Sequence, residues 1–158
     1  MDIYEKIEEI YAKKFNSETT SKKSLGDFFL ELNHAVNVKS NNVDKNNYSP
    51  NLISAYRLFN YLKNEDNKIS FIFVDYSLNK DNRISIIKDS GLVLIEHIDW
   101  SCLSIQAQGN GVIQLVKPLK INLNQTREQF MANFKINYKS YIERERKKLV
   151  KLDSLIKS

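Results

Sequence analysis

The chain has 158 residues, enough for one domain with a real core, and its 42% hydrophobic and 27% charged residues are ordinary for a water-soluble fold. A single cysteine, Cys102, excludes an internal disulfide and a cysteine-based zinc cage and fits a reducing cytoplasm; no apolar run approaches the roughly 20 residues of a membrane helix. The net charge of +5 gathers late in the chain, where eleven bases from Lys117 onward face four acids; a nucleic-acid partner selects for that balance, although a solvated lysine-rich helix is the commoner meaning of a charge run.

Ile3, Ile7, Ile10 and Tyr11 recur at helical spacing and predict an amphipathic helix over 2–15. This opening, MDIYEKIEEI, is acidic and lacks a long apolar run, so it does not read as a signal peptide. The polar stretch NSETTSKKSLG is a loop closed by Gly26. DFFLEL at 27–32 reads as a strand, and a second strand at 35–40 follows a turn near Asn33 and His34. NNVDKNNYSP at 41–50 reads as a loop and AYRLFNYLK as a second helix. FIFVDY at 71–76 is apolar on both faces, as a central strand must be, and RISIIK at 83–88 returns as its antiparallel neighbour. A short strand at 92–95 precedes a turn of helix or loop at 96–100. CLSIQAQ and VIQLV form a hairpin around Gly109-Asn110-Gly111.

The last segment, 125–156, reads as a long helix. Phe130, Phe134, Tyr138, Tyr141, Ile142, Leu149, Leu152 and Ile156 share one stripe, and Arg144, Lys147, Lys148 and Lys151 share another face. The stripe is long enough to serve a partner helix as well as the core. The order of elements predicts an α+β domain with a mixed β-sheet and flanking helices.

Within the second strand, Asn37 and Lys39 interrupt an apolar run two residues apart, on one face. Polar side chains on a half-buried strand need partners or a task. Asp27 opens the preceding strand. Carboxylates can hold a hard divalent cation, and a lysine beside them can orient water and offset developing negative charge, which is the chemistry of phosphodiester hydrolysis.

GDFFLELNHAVNVKSNN resembles the core hairpin of the PD-(D/E)XK nuclease superfamily, in its restriction-endonuclease branch. The resemblance covers residues 2–116. Asp27 matches the first acidic position and Lys39 the lysine, while Asn37 stands where the pattern has Asp or Glu. The resemblance implies a single nuclease-like domain over 1–158 with a restriction-endonuclease-like core. It also implies magnesium, or manganese in its place, cleavage of duplex DNA, a homodimer, and a cognate DNA methyltransferase in the same system. A second carboxylate must compensate for Asn37. Glu31 qualifies if a three-residue turn through Ala35 sets it opposite Asn37, the register preferred over a two-residue turn at Asn33-His34. Glu8 and Glu9 of the first helix qualify next, ahead of Glu5. The alternative is a DNA-binding or assembly module on the same fold that does not cut.

Ser40, Asn41 and Asn42 follow the lysine and can donate hydrogen bonds to phosphate, or simply form an asparagine-rich turn. Gln106, Gln108, Asn110 and Gln114 crowd the later hairpin; amides of this kind can read adenine in the major groove, and a polar hairpin tip is the plainer meaning. Lys147 and Lys148 can lie along a phosphate backbone or face water. Asp75, with Glu96 and Asp99, forms a rival carboxylate set. His34 and His97 read as turn or surface residues, Trp100 and Cys102 as core.

Overall fold

The structure, a computed structural model, describes residues 2–21, 24–45 and 48–158. The elements in chain order are α1 (Ile3–Lys14), β1 (Phe28–Phe29), β2 (His34–Asn42), β3 (Asn51–Ser54), α2 (Ala55–Leu62), β4 (Lys68–Leu78), β5 (Ile84–Asp89), β6 (Val93–Leu94), β7 (Leu103–Gln106), β8 (Val112–Leu115) and α3 (Arg127–Lys157). They divide into two compact units, residues 1–48 with 59–95, and 49–58 with 96–158. The division falls inside α2.

The first unit holds a mixed sheet in the order β1-β2-β4-β5, with β6 also on β4. β2 and β4 run parallel from His34↔Lys68 to Asn42↔Tyr76. β4 is the central strand expected of FIFVDY, and β5 is its antiparallel neighbour. Val36, Val38, Ile72 and Val74 bury one face against Ile7, Tyr11 and Ala12 of α1. Asp2 caps that helix by accepting from Glu5 N at 2.8 Å, and Lys13 and Lys14 oppose the dipole at its other end. The Tyr11 hydroxyl donates to Asp89 at 2.8 Å and so ties α1 to β5.

The β1–β2 hairpin departs from the sequence expectation in two ways. β1 is two residues long, not six. Its pairing is Phe28↔Val36 and Phe29↔Ala35, and Leu30 N donates to His34 O at 3.0 Å. The turn is therefore Glu31-Leu32-Asn33, three residues as expected but two positions earlier. β2 is correspondingly longer than 35–40 and reaches into the stretch read as a loop, so Asn41 and Asn42 are strand residues.

The second unit holds the antiparallel sheet β3-β8-β7 and the 31-residue α3. Thr126 and Gln129 form a reciprocal capping box that starts α3. Trp100 stacks on Phe130 with ring centroids 5.2 Å apart, and its indole N–H donates to Phe130 O at 3.0 Å. Gln125 donates to Glu96 O at 2.7 Å and to Ile98 O at 2.9 Å. Gly111 has φ +106°, and a Cβ there would meet Tyr138, Ile105 and Tyr141 at 3.1–3.3 Å, so only glycine suits this end of the hairpin tip. The apolar stripe of α3 is buried at Phe130, Phe134 and Tyr141 and then runs into solvent: Leu149, Leu152 and Ile156 are 65%, 53% and 74% exposed.

Candidate active site

The start of β1 and the middle of β2 build the site from the backbone up. Asp27 N donates to Val36 O at 2.8 Å, and the Asp27 main-chain carbonyl accepts from Thr20 N at the same distance. Where the next ladder bond belongs, the Asp27 carboxylate takes the place of a strand, accepting from Val38 N at 2.7 Å. The side chain is thereby fixed beside β2 at the level of Asn37 and Lys39. Phe28 pairs with Val36 and the Asp27 N–H also bonds Val36 O, so two residues meet one as in a β-bulge, which leaves the Asp27 carboxylate at the edge of β2.

Glu8 comes to the same place from α1. Glu5, Glu8, Glu9, Thr20, Ser24 and Asp27 are among the residues lining one cleft of about 410 Å³. Burial and the neighbouring Asp27 charge, with smaller contributions from Asp2 and Glu5, push the Glu8 carboxyl from 4.5 up to about 7, against the opposing pull of Lys39. Burial also raises Asp27, while the Val38 N–H and the Lys39 charge hold it back. Burial lowers Lys39, and Asp27 and Glu8 partly restore it. The three side chains thus form one electrostatic group drawn from α1, the start of β1 and β2.

Lys39 and its neighbour Asn37 have no direct partner among the described residues. The Lys39 ammonium makes no ion-pair contact, and the Asn37 amide, 9% exposed, makes no hydrogen bond. Neither group is sealed from water: the one fully enclosed side-chain polar atom without a partner among the described residues is the Tyr48 hydroxyl, so Asn37 and the half-buried Lys39 keep donors that a ligand can reach. The opposite face of β2 shows the ordinary solution, with Val36 and Val38 in the core.

The cleft is acidic. On its own it attracts cations and repels phosphate. No three His, Cys, Asp or Glu side chains among the described residues cluster as a complete protein cage for a metal. Two adjacent carboxylates, with water and a phosphate oxygen completing the shell, are the donor set magnesium commonly takes. Glu8 and Asp27 fit it, and the Asn37 carbonyl is a neutral oxygen at the same level.

The other residues singled out from sequence fall elsewhere. Glu31 does not oppose Asn37. It lies exposed in the turn, where its carbonyl accepts from His34 N at 3.2 Å and its charge acts on His34. Glu9 lines the cleft and also a second one beside Lys13 and Asn16. Asn41 donates to Asp75 at 3.0 Å, and Asn42 accepts from Asp44 N at 3.0 Å, so both side chains are engaged within the fold; Ser40 is not. In the second unit Gln106 donates to Ser104, Gln108 accepts from Asn51 at 2.8 Å, Gln114 donates to Ser49 O, and the Asn110 carbonyl accepts from Tyr138. Lys148 pairs with Glu145 at 3.2 Å on the exposed side of α3, near Lys147. The rival carboxylates are engaged separately: Asp75 with Asn41 and with Lys88 at 3.8 Å, Glu96 with Arg127 at 3.3 Å, Asp99 with Ser101 N. His34 is half-buried, its Nε2 2.7 Å from the Ser70 hydroxyl, and Cys102 is buried. The reading from sequence missed Thr20 and Ser24 in the cleft wall; the run of small hydroxyl residues in a polar loop between α1 and Asp27 was their signal.

No family model matches the sequence, and no curated protein does. Among solved structures, the NlaIV restriction endonuclease superposes with a TM-score of 0.53 at 12% identity, over 85% of this chain and 62% of that one. The chain therefore has a restriction-endonuclease-like fold, and it spans under two thirds of that enzyme's chain. No helix among the described residues is long and apolar enough to cross a membrane.

Proposed function

We propose that this chain is a PD-(D/E)XK-type nuclease that hydrolyses phosphodiester bonds of duplex DNA, in the manner of a type II restriction enzyme. The observation that carries this reading is the convergence of Glu8, Asp27 and Lys39 at the edge of β2, in a fold shared with a restriction endonuclease. Glu8 and Asp27 would hold magnesium or manganese, and Glu8 supplies from α1 the second carboxylate that Asn37 does not. The cation, when bound, would supply Lewis acidity toward the phosphate and a more acidic water. Asp27 is oriented for this by the Val38 N–H, which keeps one carboxylate oxygen in place. Lys39 directs its charge to the same point; a scissile phosphate there finds its ammonium free to bond a non-bridging oxygen or to orient the attacking water. A homodimer matches a twofold-symmetric DNA site, and a cognate methyltransferase and a cytoplasmic setting complete the reading.

Asn37 favours a second reading, a module on the same fold that binds duplex DNA without cutting it. The two separate in one experiment. The purified protein is incubated with mixed duplex DNA under magnesium, manganese or chelator, beside Lys39→Ala. Metal-dependent fragments that the variant fails to produce support the nuclease. Salt-sensitive DNA binding with no cleavage under either metal selects the binding module.

A further inference from the structure

The direction of main-chain groups along β2 distinguishes its two edges. Val36 O and Val38 N point toward the Asp27 side, whereas Val43 N points the other way, donating to Tyr76 O of β4 at 2.9 Å. Even-numbered residues of β2 thus face away from β4. β1 covers that edge only at Ala35 and Val36, and the Asp27 carboxylate covers Val38 N. The next N–H on the edge belongs to Ser40, and it bonds no described residue. It stands roughly 7 Å beyond the Val38 N–H, two residues along an extended chain, and directly after Lys39. That span is the step from one phosphate to the next along a nucleic-acid strand.

We propose that this free edge is a phosphate-binding subsite: the main-chain N–H of Ser40 donates to a non-bridging oxygen of the phosphate adjoining the one that faces Glu8, Asp27 and Lys39. The subsite deepens the nuclease reading above and rests on it for the identity of the strand. An open edge can also receive a β-strand, but the geometry favours phosphate. The free row closes after Ser40 and Asn42 N, because Asn42 O accepts from Lys45 N at 3.0 Å. A row this short seats an anion beside a lysine better than it seats a strand. Of the side chains here, the Asn41 amide donates to Asp75 and the Asn42 oxygen accepts from Asp44 N; the Ser40 hydroxyl and the Asn42 amide remain able to donate, but only the Ser40 main-chain N–H is held on the edge by the strand itself.

The probe is a short mixed-sequence fluorescent duplex, bound in calcium, with Ser40→Ala and Ser40→Pro beside wild type. Proline removes the N–H at an edge position where no ladder bond is lost; alanine keeps it. We expect Ser40→Ala to bind like wild type and Ser40→Pro to bind roughly tenfold more weakly, the scale of a lost hydrogen bond to a charged group. The salt slope should stay unchanged, because no cation is removed. Equal weakening by both variants assigns the donor to the hydroxyl and overturns the proposal, as does undiminished binding by Ser40→Pro. A change in self-association instead of in DNA binding overturns it in favour of a strand on the edge. If Ser40→Pro fails to fold, the wild-type Ser40 amide resonance is followed as duplex is added: a downfield shift supports the subsite and a stationary peak overturns it. Weaker binding by Ser40→Pro with no metal-dependent cleavage by wild type removes the nuclease reading and keeps the subsite. Cleavage by wild type with normal binding by Ser40→Pro does the reverse.

Discussion

Two hairpins in this molecule carry polar side chains that look purposeful in the sequence, and they treat them in opposite ways. In β7–β8 the amides are satisfied within their own unit: Gln106 by Ser104, Gln108 by Asn51, Gln114 by the Ser49 carbonyl. In β1–β2 the Asn37 amide, 9% exposed, makes no hydrogen bond, and the half-buried Lys39 makes no ion pair. Amides with local partners are explained by the fold that they help to hold. Polar groups that are partly withdrawn from water and bond nothing in the fold are not, and they are placed to meet something the chain binds. Both hairpins are rich in polar residues; the unmet bonding capacity separates them.

Glu8 gives the largest expected contrast. Glu8→Gln should cost about a hundredfold in metal-dependent cleavage, the scale seen when a group supporting a metal is removed. It should also change stability in the opposite direction. The Glu8 carboxyl lies near 7 in the folded chain, above its ordinary 4.5. The folded state therefore binds the proton more tightly than the unfolded state, and stability falls as pH rises from about 4.5 to about 7, remaining at its lower value above that. Without metal at pH 8, Glu8→Gln should melt a few degrees higher than wild type, at roughly 2–4 °C per kcal/mol for a chain of this size. At pH 4 the two should coincide. Thermal melts across that range, with and without magnesium, measure both halves; a wild-type melting temperature that stays flat between pH 4 and 8 removes the electrostatic group from the argument.

Asn37→Asp tests the same hairpin from the other side. A third carboxylate beside Asp27 should raise affinity for magnesium or manganese roughly tenfold through ligand charge. The metal-free protein should melt lower, since another buried acid joins two that already resist ionisation. Calorimetric titration with manganese checks the first effect and melts in chelator the second. An aspartate that binds metal no better than asparagine places Asn37 outside the cation's reach.

Legibility in the sequence followed the physics of each feature. Period-two alternation put Asn37 and Lys39 on one face of β2, because alternation alone decides the face within a strand; Asp27 joined them in that reading only through the choice of a three-residue turn. The pairing register was not legible. Glu31, Leu32, Asn33 and His34 are all acceptable in a turn, and the observed turn lies two positions earlier than the preferred one, so Glu31 moves into the turn and out of the site. Leu32, 95% exposed, is an apolar residue spent in a turn, against its pattern. Glu8 was legible because it flanks the Ile7–Tyr11 stripe that docks α1 on the sheet. In α3 the stripe was visible through Ile156 but its burial was not, since periodicity says which residues share a face and nothing of what meets it. The engagement of Asn41 by Asp75 depended on β2 and β4 lying parallel in register, a pairing made by residues 34 positions apart.

Gln108→Ala carries the smallest effect and sharpens the comparison from its quieter side. Its carboxamide oxygen accepts from Asn51 in an exposed position, linking the loop after β7 to β3. Losing one such bond should cost about 0.5–1 kcal/mol, since water replaces the partner on both sides. Cleavage and DNA binding should be unchanged, because the amide is engaged within its own unit. Asn51→Ala should give the same small loss, and the double variant should lose no more than either single one, the non-additivity expected of two ends of one bond. If Gln108→Ala instead relaxes the sequence preference of cleavage, the β7–β8 hairpin reads bases despite its internal hydrogen bonds, and bonding capacity left unmet would no longer distinguish the functional hairpin from the structural one.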